Sequence, residues 1–120
     1  ITLMLHTLVL DRCERVQQAV EAPFREYIKS ALDAHMQAAA EQQGGMPPSA
    51  AEKGKILDYA YQRYFKTCAI FGTVDEGTAI VDQAIAAGVD EIACLVEFGV
   101  AYPLVMESLQ YLEQLTSRYR

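Results

Sequence analysis

The nine residues Thr2-Leu3-Met4-Leu5-His6-Thr7-Leu8-Val9-Leu10 constrain this chain more than any other stretch. They are too few for a typical helix, and they carry apolar side chains at both alternating positions. A strand with one wet face alternates apolar and polar; a strand apolar on both faces needs cover on both sides, as in the middle of a parallel sheet. Parallel neighbours require long crossovers, usually helical. The segment therefore predicts an α/β chain in which helices connect co-directional strands.

The rest of the sequence supplies those parts. Asp11 and Glu14 have the spacing of a helix-starting capping box, repeated by Ser49 and Glu52 and again by Thr73 and Glu76. The first helix, beginning near Arg12, meets Pro23, where a break or sharp kink is expected because proline donates no interior hydrogen bond. A helix restarting there places Phe24, Tyr27, Ile28, Ala31, Leu32, His35 and Ala39 on one face. The run Gln42-Gln43-Gly44-Gly45-Met46-Pro47-Pro48 then reads as a loop. The next helix aligns Ile56, Leu57, Ala60, Tyr61, Tyr64 and Phe65, so the pair predicts a helical hairpin inserted between strands. Cys68 to Phe71 is a short apolar strand. A helix with Ile80, Val81, Ala84 and Ile85 inward follows, stopped by Gly88. Glu91 to Phe98 reads as a second well-buried strand. After Gly99, Pro103 suits the first position of a last helix carrying Val105, Met106, Leu109, Leu112 and Leu115 inward.

Composition removes several classes of function. The net charge is −6 and the pI about 4.8, which argues against a nucleic-acid partner, since phosphates are gripped by clustered Lys and Arg. No apolar run approaches the roughly 20 residues of a membrane span, and no basic leader opens the chain. Its first residue is Ile1 rather than Met, as expected of a trimmed chain or a fragment. Cys13, Cys68 and Cys94 are odd in number and widely spaced, which fits reduced thiols in a cytoplasmic protein better than a disulfide framework or a zinc site. His6 and His35 are too far apart for a local metal motif. No Gly-rich phosphate loop, nucleophile elbow or paired-carboxylate helix is present.

Two stretches carry a resemblance. Phe71-Gly72-Thr73-Val74-Asp75-Glu76, a helix, then Gly88-Val89-Asp90-Glu91 and an apolar strand resemble the last two barrel units of luciferase-like flavin monooxygenases. That family often has a Gly-Thr-Pro-Glu-Glu turn, and Val74 stands here in place of the proline. Ile1 to Leu10 resembles the strand before the family's long variable insertion. The subgroup embedded in, or encoded beside, non-ribosomal peptide and polyketide synthases is closer. It has a similar Leu-Met-Leu-His-Thr strand (Leu3 to Thr7), an Arg-Tyr-Phe helix end (Arg63 to Phe65) and a Val-Asp-Glu-Ile-Ala-Cys-Leu strand (Val89 to Leu95).

The resemblance implies the C-terminal portion of a (βα)8 barrel, with residues 1–10 a strand, 11–66 a helical insertion and 67–120 the last two βα units. A whole barrel needs about 250 residues, so these 120 would be inactive alone. It further implies reduced FMN as cofactor, a small or carrier-tethered metabolite as substrate, and a flavin reductase or carrier protein as possible company. The remainder of the barrel, or a second copy of the chain, would complete the sheet.

His6 is the sharpest catalytic candidate. An imidazole on the inner side of such a strand can hydrogen-bond flavin, peroxide or substrate and move a proton. Against that stands a core histidine satisfied by its neighbours. Thr7 must face the other way. Glu97, at the expected C-terminal end of its strand, is the second candidate, where burial would make it an acid or base; the plainer alternative is a rim carboxylate paired with a cation. Gly72-Thr73 offers backbone N–H groups to a phosphate, but Asp75 and Glu76 in the same turn oppose a dianion. Arg63 and Lys66 beside Tyr59, Tyr61, Tyr64 and Phe65 fit a solvated helix face as well as a basic site. Outside the enzyme class, the same sequence suits a non-catalytic acidic module that docks or oligomerises through an open sheet edge.

Overall fold

A computed structural model describes residues 1–43 and 49–120 of the chain; of the loop expected at Gln42 to Pro48, Gln42 and Gln43 belong to the first helix and the rest lies outside the described residues. The elements run β1 (Thr2–Val9), α1 (Cys13–Gln43), α2 (Ala50–Thr67), β2 (Ala69–Gly72), α3 (Val74–Ala86), β3 (Glu91–Leu95) and α4 (Tyr102–Ser117). The chain is mixed α/β, with a three-stranded parallel sheet ordered β2-β1-β3. The doubly apolar strand takes the centre, as its pattern demands. Thr7 to Leu10 are all but closed to solvent.

The order is not the successive one of a barrel slice, in which β2 would lie between β1 and β3. Register explains the two-sided cover. His6 pairs with Ala69 and with Leu95, and Leu8 with Phe71, so these side chains share one face. On that face α1 and α2 bury Leu8, Leu10, Val16, Val20, Phe24, Ile28, Tyr61, Ala69 and Phe71 together. Leu5, Val9 and Ile70 point the other way and meet Leu115 of α4, with Val74, Ile80 and Val81 of α3 beside them. The two crossovers thus run in opposite directions along the sheet and over opposite faces, which gives them the same hand.

Several local expectations are corrected. Helix α1 continues through Pro23 instead of breaking there, because Val20 and Phe24, on either side of the proline, are both anchored in the core. The ring of Pro23 packs against Gly99, whose φ of +104° and lack of a side chain permit the approach; a Cβ there would lie 2.9 Å from that of Pro23. Of the expected stripe on α1, Phe24 and Ile28 are buried, Leu32 and Ala39 half-buried, and Tyr27, Ala31 and His35 exposed. On α2 the buried stripe is Leu57, Ala60, Tyr61 and Phe65, with Ile56 and Tyr64 outside it.

The capping signals fare unevenly. Ser49 and Glu52 form the full reciprocal box. Thr73 caps α3 through its hydroxyl, which accepts from the Glu76 N–H at 3.4 Å. Asp11 is taken instead by Arg15, 2.7 Å away, and α1 starts at Cys13. Gly88, at φ +93°, ends α3 as expected: its N–H donates to Ile85 O and that of Val89 to Ala84 O, the paired bonds that finish a helix on a left-handed residue. Strand β3 stops at Leu95, three residues early, and as an edge strand it is only half-buried. On α4 Leu115 is buried, but Met106 and Leu109 are exposed.

Candidate functional site

His6 stands where α1, β1 and the β3–α4 connection converge. Its ring lies 5.1 Å from Phe24, 4.6 Å from Tyr27 and 5.3 Å from Phe98, centroid to centroid, at interplanar angles of 63°, 64° and 85°. Phe24 and Phe98 extend the cluster to Phe71, and Phe65 joins beyond it. An imidazole enclosed by three roughly perpendicular rings is held in place with no polar anchor. Its Nε2 is shut off from solvent and has no hydrogen-bond partner among the described residues. Loss of hydration holds the imidazole below its ordinary pKa, so it is neutral at neutral pH. Aromatic neighbours, rather than a polar partner, hold the Nε2 side of the ring. His6 is thus a polar group, half-buried, on an otherwise apolar wall.

The polar residue facing the other way is satisfied. Thr7 is fully buried and its hydroxyl donates to Leu5 O at 2.9 Å. Next to it, the buried Ser108 hydroxyl accepts the Val9 N–H at 2.9 Å, tying α4 to the central strand. Thr7 is thereby a structural residue, and His6 alone of the pair lines a candidate site.

Glu97 is placed differently from the expectation. It lies beyond the end of β3 and its side chain is exposed, so the expected burial is absent. It is next in chain to Phe98, which is the residue of this connection that reaches His6. Phe98 was missed because it read as the last residue of a strand. The turn after β3, with Gly99 pressed on Pro23, directs it inward instead.

Helices α1 and α4 begin at neighbouring strand ends on opposite faces, so β1 and β3 flank the switch point where doubly wound sheets place ligands. In this chain that crevice is bridged by protein. The Arg15 guanidinium binds both carboxylate oxygens of Glu107 on α4, at 2.5 and 3.0 Å, as well as Asp11. The Arg15 hydrogen bonds hold the Glu107 and Asp11 carboxyls below the usual carboxylate range.

The phosphate-binding reading of Gly72-Thr73 meets a direct obstacle. The Glu76 carboxylate folds back over Gly72 and also contacts the Thr73 hydroxyl, so the N-terminus of α3 already holds a negative group. Arg63 and Lys66 are exposed on α2 away from the buried stripe. The cation that does meet an aromatic ring is Arg25, 4.4 Å above Tyr61 and paired with Asp58. That contact locks α1 to α2.

The cysteines are free thiols. Burial and a hydrogen bond to Glu76 push the Cys13 thiol up to about 11, which makes it a poor nucleophile. Among the described residues no group of His, Cys, Asp and Glu is arranged to hold a metal ion, and no helix is long and apolar enough to cross a membrane. No protein-family model matches the chain, and no curated protein matches it.

Proposed function

We propose that this chain is the closing segment of an FMN-dependent, luciferase-like monooxygenase acting on a small or carrier-tethered metabolite, and that it is inactive by itself. The observation that carries the reading is the unfinished cover of β1. Its motif-bearing first half, Leu3-Met4-Leu5, belongs to a doubly apolar strand, yet Met4 is 62% exposed. Such a strand wants further sheet or helix on that side.

The residues present do not make a flavin site of their own. Among the described residues no cation pairs with or stacks on His6, and the Gly72-Thr73 turn is filled by Glu76. FMN would be held by the remainder of the barrel, and this chain would contribute the His6 wall, with Glu97 at its rim. Supplied whole, the cofactor brings the oxygen chemistry; the chain's part is to exclude water through its aromatic cluster and to offer one neutral imidazole.

The proposal requires a rearrangement. In a barrel β3 leaves β1 and pairs with β2. Paired spin labels at Met4→Cys and Ala93→Cys, register partners on β1 and β3, with the native cysteines replaced, report it. The labels should be close in the isolated chain and move apart when the N-terminal barrel portion of a luciferase-like monooxygenase is added, together with quenching of FMN fluorescence. Labels that stay together, with no flavin binding, would overturn the assignment.

A second reading, a non-catalytic acidic module that docks or oligomerises through its open sheet edge, is favoured by the half-buried edge strand β3, with Ala93 exposed, and by the exposed Met4 that pairs with it. It expects a colourless stable oligomer by sedimentation whose state is unaltered by FMN.

A further inference from the structure

The two nitrogens of His6 are not equivalent, and their surroundings differ enough to assign a role to each. Nε2 is sealed among aromatic side chains without a polar partner, while the residue as a whole is only half-buried, so the Nδ1 edge is the one solvent reaches. A bare Nε2 lone pair in that box would meet ring carbons and find no donor. An Nε2–H can meet π density instead, and the edge-type angles of 63°, 64° and 85° to Phe24, Tyr27 and Phe98 admit an N–H on the imidazole edge facing one of those rings. We infer that the aromatic box locks His6 as the Nε2–H tautomer and leaves Nδ1 as the only atom through which it accepts a proton or binds a ligand. Phe98, Phe24 and Tyr27 are then positioning residues.

Among the described residues no charged side chain pairs with His6. Of the ionisable groups on the elements packed against His6, the Tyr27 phenol on α1 is the one whose ring adjoins it. Arg25 is turned to Asp58 and Tyr61, Glu91 on β3 is held by Thr2, and Glu97 is exposed beyond the strand. The open side lies toward Met4 and Ala93, both exposed and, by register, on the same sheet face as His6. A group using Nδ1 therefore approaches over an apolar floor. The regiochemistry rests on geometry alone; its bearing on catalysis rests on the monooxygenase reading, so the two can fail separately.

The test uses the intact chain with its cysteines blocked. Bromoacetate alkylates imidazole at either nitrogen, and His35, exposed on α1, serves as an internal reference. Peptide mass spectrometry with isomer separation should find only the Nδ1 product at His6 and both products at His35. Phe98→Ala should let the Nε2 product appear at His6 while the helical circular dichroism is retained. Nitrogen-15 NMR of the neutral imidazole should give a single Nε2-protonated pattern that becomes mixed in Phe98→Ala. An Nε2 product at His6 in the unmutated chain, or an Nδ1-protonated ring, overturns the inference, and so does a Phe98→Ala protein that is folded but unchanged in both readouts.

Discussion

The two halves of β1 both carry large apolar side chains and end up in opposite circumstances. From Thr7 onward the strand is sealed, with Leu8, Val9 and Leu10 at 1% exposure or less, whereas Ile1, Leu3 and Met4 range from 37% to 81%. The sealed half is gripped by α1 and α2 on one face and by α3 and α4 on the other. The open half has β3 beside it and little above it. Hydrophobic pattern states a demand for cover, and tertiary arrangement determines how much of that demand is met. His6 sits at the boundary, which is why its ring is half-enclosed.

The sharpest way to break this contrast is truncation on either side of it. Leu8→Ala should cost about 2–5 kcal/mol in urea denaturation, through lost burial and a cavity beside Phe24 and Phe71. Met4→Ala should change the midpoint within about 0.5 kcal/mol, because an exposed side chain has little burial to lose. Equal losses at the two positions would mean that the open half is covered in solution.

An intermediate effect belongs to Ser108. Ser108→Ala removes the acceptor for the buried Val9 N–H, and leaving such a donor unsatisfied should cost about 1–3 kcal/mol by the same measurement. If Ser108→Ala is neutral, α4 is docked by its apolar contacts alone.

The smallest effect is expected from acid. Asp11 and Glu107 have folded pKa values below their unfolded ones, so their contribution is complete above the ordinary carboxylate range and is lost as pH falls through the lowered values. His6 works in the same direction at milder pH. Its folded pKa is below the unfolded value, so protonation below about pH 6.5 favours the unfolded chain. Thermal melts should therefore show a shallow loss beginning below about pH 6.5, absent in His6→Phe, and a further loss toward about pH 3, reduced in Arg15→Met. The second step should be modest because the Arg15 pairs are solvent-screened. A stability that rises on acidification would contradict both signs.

Much of the fold was legible because the signals are local. The Ser49–Glu52 box, the Thr73 cap, the Gly88 stop and Pro103 near the start of α4 act within a few residues of themselves, and each appears where its spacing placed it. The opposite facing of His6 and Thr7 follows from strand geometry alone. Pro23 failed as a break because its neighbours are fixed by distant core partners. Asp11 failed as a cap because Arg15 offered it a charged alternative, and Arg15 in turn pairs across the fold with Glu107. Phe98, Ser108 and the exposed position of Glu97 were invisible for a related reason. Each depends on where the chain turns after β3 and on which helix then lies across β1.

From residues alone, then, came the parallel α/β character, the alternation of elements and the two faces of β1, since periodicity and capping are properties of neighbouring positions. The β2-β1-β3 order, the enclosure of His6 and the bridging of the β1–β3 crevice by Arg15 and Glu107 required the assembled chain. Those features join residues as far as 92 positions apart, and no local pattern encodes which of several apolar surfaces will find each other first.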